Sequence, residues 1–169
     1  MSKKTKTKFK LSILEAVKKR GYVLKNIQNQ TDEICKVAVN NNGYALQFVE
    51  NQTEEICNIA IDNCPFAFAF VEKQTYDMCM KIVKINGLFL KYVIDQNEDI
   101  CIEAVKQNGL AIQFVNNLTH KICIEAVKQN GMAIYNIKEN FMTIELCFEA
   151  VRQNAYTIQF FKTRFGNCK

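Results

Sequence analysis

Apolar positions along this chain fall into two alternating registers. Around Ile100–Gln107, Ile100, Cys101, Ala104 and Val105 share one arc at about 100° per residue, while Glu103, Lys106 and Gln107 point away. That pattern predicts an amphipathic α-helix of roughly 10 residues. Asn108-Gly109 follows, and then a second apolar run, Leu110-Ala-Ile-Gln-Phe-Val115. It predicts a shorter helix of roughly 7 residues, with Leu110, Ala111, Phe114 and Val115 buried and Ile112 at the edge. Thr31, Thr53, Thr75, Asn97, Thr119 and Thr143 stand before the first helix of successive pairs. All are competent N-caps, because a side-chain oxygen can accept from a free N–H of the first turn. Acidic residues follow several of them, as in Asp32-Glu33 and Glu54-Glu55, where the positive end of the helix dipole favours them. Asn-Gly at 42–43, 86–87, 108–109 and 130–131 predicts a left-handed stop after each longer helix.

The pairs repeat. Ile100–Gly109 returns unchanged as Ile122–Gly131, and the same frame aligns Ile13, Cys35, Cys57, Cys79, Cys101, Cys123 and Cys147. The step is 22 residues, except for 24 before Cys147, where Lys138-Glu-Asn-Phe-Met142 carries the extra two. A fixed period of this length marks a repeat architecture. A leucine-rich repeat also has this period, but it would bury Glu15, Lys81, Glu103, Glu125 and Glu149, each costing several kcal/mol if unpaired. The fold expected is therefore all-α, an α-solenoid of about seven 22-residue helix pairs, each too small to bury its own apolar face. The column Leu24, Leu46, Phe68, Leu90, Ile112, Ile134 and Ile158 never turns polar and is assigned to contact between repeats. Cys64-Pro65 replaces Asn-Gly in the third repeat and is expected to start its second helix. The repeats span residues 11–161, preceded by a basic flexible arm over 1–10 and followed by a tail over 162–169.

Charge refines this picture. The net charge is +5, yet residues 1–25 hold nine Lys or Arg against one Glu, so the remaining body is close to neutral. A near-neutral body argues against nucleic-acid binding along the repeats. Only Lys3, Lys4, Lys6, Lys8 and Lys10 offer an electrostatic contact to nucleic acid or another acidic surface. There is no apolar run of 18 residues and no secretory leader at the N-terminus, which points to a cytoplasmic protein without a membrane partner. The sequons at Asn29, Asn51 and Asn117 then read as helix-start chemistry, their threonines being the caps.

Candidate chemistry is sparse. The six repeat cysteines lack the two-to-four spacing of zinc ligands and, one repeat apart, exceed the reach of a disulfide, so they read as buried packing. Cys168 is the thiol expected to be most exposed. His120, the single histidine, stands in the first turn of a helix with no recurring partner and reads as a surface residue. No phosphate-binding loop, dinucleotide fingerprint or nucleophile elbow occurs, so neither an active site nor a cofactor nor a metal site is expected. One column remains open to two readings. The position after each cysteine is Leu14, Lys36 and Asn58, and then Met80, Ile102, Ile124 and Phe148. The last four are either inter-repeat packing or a partly exposed stripe that binds a partner.

The pattern Ile-Cys-x-x-Ala-Val-Lys-x-Asn-Gly-x-Ala-Ile-x-Phe-Val, linked by segments such as Asn-Gln-Thr-Glu-Glu, resembles an uncharacterised short tandem-repeat family associated with giant DNA viruses of protists and some intracellular bacteria. The resemblance covers about residues 11–161. It implies helical repeats and a host-interaction role, and supplies no active-site residues. The function expected is a non-catalytic scaffold for protein–protein interaction, the alternative being a nucleic-acid-associated protein anchored by its Lys-rich arm. The last helix has little sequence left to cover it, so a homodimer through the C-terminal repeat is also expected.

Overall fold

The structure, a computed structural model, describes residues 3–166, with side chains from Leu11 to Arg164. Among the described residues every regular element is helical. The longer helices are α1 (Lys3–Lys19), α2 (Asp32–Asn41), α3 (Glu54–Asn63), α4 (Tyr76–Ile85), α5 (Glu98–Gln107), α6 (His120–Gln129), α7 (Ile144–Gln153) and α8 (Ile158–Phe165). Between them lie 3-10 helices: η1 (Gly21–Asn26), η2 (Gly43–Phe48), η3 (Pro65–Phe70), η4 (Gly87–Tyr92), η5 (Gly109–Phe114), η6 (Gly131–Asn136), η7 (Glu139–Phe141) and η8 (Ala155–Thr157). The chain divides into two compact units, Met1–Lys73 and Gln74–Lys169. In the first, α1, α2 and α3 stack in order, with η1, η2 and η3 on their flank. In the second, α4 to α7 stack in the same way, with η4, η5 and η6 alongside. Each unit is thus a solenoid of helix pairs.

The caps form as the sequence requires. Thr31, Thr53, Thr75, Asn97, Thr119 and Thr143 each accept from the N–H three residues on, at 2.9–3.4 Å. A cap of this kind stabilises a helix by about 1 kcal/mol. Three of these residues complete the sequons, so their hydroxyls serve the helix starts. Pro65 begins η3 as expected, at the position where a missing N–H costs nothing.

Several expectations change. The backbone is helical from Lys3, so residues 3–10, set apart in the sequence as a basic flexible arm, are continuous with α1. The supposed tail is likewise helical as far as Phe165. The shorter helix of each of the first six pairs is a six-residue 3-10 helix, not α, while after α7 a three-residue 3-10 turn leads into the α-helix α8. With three residues per turn, positions i and i+3 eclipse. Gly109 therefore shares a face with Ile112, and Ala111 with Phe114, while Leu110 and Gln113 form the outer row. Ile112 is only 2% exposed and belongs to the core, not its edge.

The glycines also act differently. Among the described residues only Gly166 has a positive φ, and the Asn before each Gly is extended, as at Asn108 (φ −151°, ψ 109°). The Asn caps forward: Asn42, Asn86, Asn108 and Asn130 each accept from the N–H two residues later. Gly109 is needed for closeness. A Cβ there would stand less than 3.0 Å from the Ala126 carbonyl of the next repeat, and Gly21, Gly43, Gly87 and Gly131 meet the same obstacle at Ala38, Ala60, Ala104 and Ala150. The segment before α7 that carries the two extra residues contains η7.

Candidate functional site

The four residues singled out after the cysteines occupy equivalent positions on α4 to α7, all in the second unit. They do not form one exposed stripe. Ile102 is 7% exposed and closed over by the stacking of α6 on α5, while Met80 and Ile124 are half-buried. Phe148 is 70% exposed. The Ile102 side chain is buried in the core. Phe148 belongs to a different surface, the C-terminal end of the unit. There Ile144, on the same helix face one turn earlier, is 91% exposed, and Tyr156 beyond it is 82% exposed. The side chains of Lys3, Lys4, Lys6, Lys8 and Lys10 lie outside those described, as does Cys168.

Sequence reasoning missed two sets of amides. In the first set, Gln96 fills the angle between adjacent repeats. Its Nε2 donates to the Phe114 carbonyl at 2.9 Å and the Leu90 carbonyl at 3.2 Å. Its Oε1 accepts from the Asn116 N–H at 3.0 Å and faces the Cys101 thiol at 3.7 Å. Gln52 does the same with Phe70, Leu46, Glu72 and Cys57. Gln30 and Gln74 bridge to Phe48 and Glu50, and to Tyr92 and Ile94. In the second set, the side chains of Asn41, Asn63, Gln107, Gln129 and Gln153 accept from the N–H of Gly21, Gly43, Gly87, Gly109 and Gly131. Part of the signal was available: the first column is Gln at 30, 52, 74 and 96 before turning apolar, and the second is Asn or Gln at every repeat but that of Ile85. Apart from the Leu46 and Leu90 carbonyls and the thiols, five or six residues away, their partners lie 18–20 residues away, or 22 for Gly131, beyond any local pattern.

This network explains the cysteine column. Cys35, Cys57, Cys79, Cys101 and Cys123 are buried and unpaired, with Cys147 half-buried. Burial pushes the thiols of Cys57, Cys101 and Cys123 up to about 11, with nearby carboxylates adding to the effect at Cys57 and Cys101. A thiol so protonated is a poor nucleophile and a poor ligand. Among the described residues no group of three or more His, Cys, Asp and Glu could hold a metal ion. His120 is exposed, its Nε2 standing 3.6 Å from a Glu145 oxygen. Of the outer charge pairs, Glu125–Lys128 and Glu149–Arg152 close within one helix, whereas Lys106 reaches Glu125 of the following repeat at 3.8 Å. The Arg152 guanidinium, hydrogen-bonded to Glu149, holds that carboxyl below its ordinary range. No helix among the described residues is long and apolar enough to cross a membrane.

Grooves follow the loops of the second unit. One, of about 460 Å³, is walled partly by Gln96, Tyr92, Phe114 and Asn116. Another, of about 410 Å³, lies one repeat on and is walled by Ile112, Leu118, Asn136, Lys138 and Phe141, with the side chains of Gln113, Asn116 and Asn117 around it.

No curated protein and no solved structure matches the chain. A family profile described as a domain of unknown function (DUF4116) matches residues 75–119 and again 120–165, more than half of the 169 residues. Each match begins at or just after a helix cap and takes in two of the helix pairs described above. The chain therefore belongs to this uncharacterised repeat family, DUF4116.

Proposed function

We propose that the protein is a non-catalytic helical-repeat scaffold, and that the C-terminal apolar end of its second unit binds another protein chain. The observation that carries this reading is Ile144. In the other repeats its slot holds Asp32, Glu54, Tyr76, Glu98 and His120, exposed in every case. An isoleucine there is not core left bare, because the position faces solvent in each of these repeats. Phe148, one turn on along α7, and Tyr156 and Ile158, in the elements that follow α7, are also exposed. Large apolar side chains gathered at a solvent-facing site favour protein contact, since burying each contributes about 1.5–3 kcal/mol.

A second copy of this chain is the occupant proposed, each end covering the other in a symmetric pair. Sedimentation velocity at tens of micromolar is expected to show a concentration-dependent dimer. Phe148→Asp with Tyr156→Asp is expected to give a monomer of unchanged melting temperature. A parent protein that stays monomeric removes the second copy as occupant. If capture of other proteins from the native cell is then also unaffected by the double substitution, this end is not the binding surface. The host-interaction setting implied by the family resemblance is a proposal that the same capture experiment addresses.

A further inference from the structure

The amide column that locks the repeats together reads Gln30, Gln52, Gln74 and Gln96, and then Leu118 and Met142. At Leu118 the surrounding backbone keeps its form: η6 is a six-residue 3-10 helix like η5, and the two inserted residues come only after Lys138. Counting 22 residues on from the partners of Gln96 gives the Ile112 carbonyl, the Asn136 carbonyl and the Lys138 N–H. In the preceding repeat these are the Leu90 and Phe114 carbonyls, which accept from Gln96, and the Asn116 N–H, which donates to it. Leucine has no polar atom, so position 118 offers none of these bonds. Among the described residues neither the Asn136 carbonyl nor the Lys138 N–H has another protein partner. Ile112, Asn136 and Lys138 all line the groove of about 410 Å³, with Leu118 in its wall.

We propose that this groove is a binding subsite for a primary carboxamide, supplied by a glutamine side chain of a protein partner. Two carbonyls take the NH2 group and one backbone N–H takes the carbonyl oxygen, the arrangement that Gln96 and Gln52 make from within the chain. A carboxylate lacks the two donors, and an apolar side chain lacks all three groups, so the backbone selects the amide. Phe141, brought to the wall by the η7 insertion, lies where the methylenes of a glutamine can pack. The exposed Gln113, Asn116 and Asn117 are placed to pair with the peptide on either side, which favours a side chain on a polypeptide over a free small amide. The proposal depends on the scaffold reading only for who presents the glutamine, and it uses a groove separate from the C-terminal apolar end.

The test needs no partner. Acetyl-glutamine methylamide is titrated into the ¹⁵N-labelled protein, with the glutamate and leucine analogues and propionamide as comparisons. The glutamine probe is expected to move the Lys138 N–H resonance saturably in the millimolar range, several-fold more strongly than any of the others. Leu118→Gln, which supplies the amide from inside, is expected to abolish that shift and to raise the melting temperature. Leu118→Ala is expected to retain the shift, which separates loss of the site from loss of the fold. Equal shifts with the glutamine and leucine probes, or a full response in Leu118→Gln, would overturn the subsite. An equal response to propionamide would overturn the polypeptide source. None of these results bears on the C-terminal surface, so the two readings fail separately.

Discussion

The repeat built on α5 and the one built on α7 follow one plan within a single unit and end in opposite conditions. In the first, Ile102 is covered, Gly109 lies against the Ala126 carbonyl, Gln96 holds four groups, and Ile112 is sealed in the core. In the second, the matching residues are Phe148, Ala155, Met142 and Ile158. Phe148 and Ile158 are 70% and 45% exposed, and Ala155 is exposed too. The helix α7 matches α5 in length, each capped by a side-chain oxygen, Thr143 in one and Asn97 in the other. The amphipathic pattern therefore suffices to build a helix pair. What differs is whether another pair packs on top, and residues that exist only to meet that neighbour are released where none packs.

The comparison is most sharply tested by charge. Ile102→Asp places a carboxylate in the inter-repeat core and is expected to cost about 3–5 kcal/mol in denaturant unfolding. Phe148→Asp, at the same helical position, is expected to stay within about 0.5 kcal/mol of the parent. Similar costs at both sites would mean that the two repeats are packed alike.

The glycine contact comes next. Gly109→Ala sets a Cβ against backbone, which has no flexible end to move aside, so a loss of about 2–3 kcal/mol is expected. Ala155→Ser is expected to change stability by less than about 0.5 kcal/mol. A silent Gly109→Ala would show that the repeats can part slightly at no cost, and the close approach would then have no structural purpose.

Gln96→Leu turns the covered repeat into a copy of the Leu118 repeat. Freed carbonyls and an N–H at a half-buried site are expected to cost about 1–2 kcal/mol. Hydrogen exchange should also quicken at the Asn116 amide, which Gln96 accepts from. Unchanged exchange there would remove the glutamine lock from the account of stability.

The smallest effect is expected from pH. Folded Cys101 and Cys123 titrate at about 11, against an ordinary 9.0 in the unfolded chain. The folded state holds these protons more tightly, so their contribution is fully present below about pH 9 and is lost as pH rises toward 11. Unfolding free energy should therefore be level from neutral pH to about 9 and fall above it, with a gentler fall in a Cys101→Ala, Cys123→Ala protein. At pH 8, iodoacetamide should label half-buried Cys147 before either of them.

The sequence by itself determined the helical class, the period, the six N-caps and the columns of the core. The helices and their caps rest on interactions within four residues of each position, and the period and columns on the plain recurrence of that local pattern every 22 residues. Thr119 caps the Ile122 N–H wherever α6 goes, and Ile100, Cys101, Ala104 and Val105 share an arc on any α-helix. Tertiary structure decided everything that depends on the adjacent repeat. It made the second helix 3-10, which turned Ile112 from edge to core. It used Gly109 for close approach where a local reading suggested a left-handed stop, and it gave Gln96 and Gln129 their partners about 20 residues away. It also divided one chemical column into a buried Ile102 and an exposed Phe148. A side chain's own sequence neighbours set its direction on the helix, but only the packing of the next helix pair sets whether that direction leads to solvent.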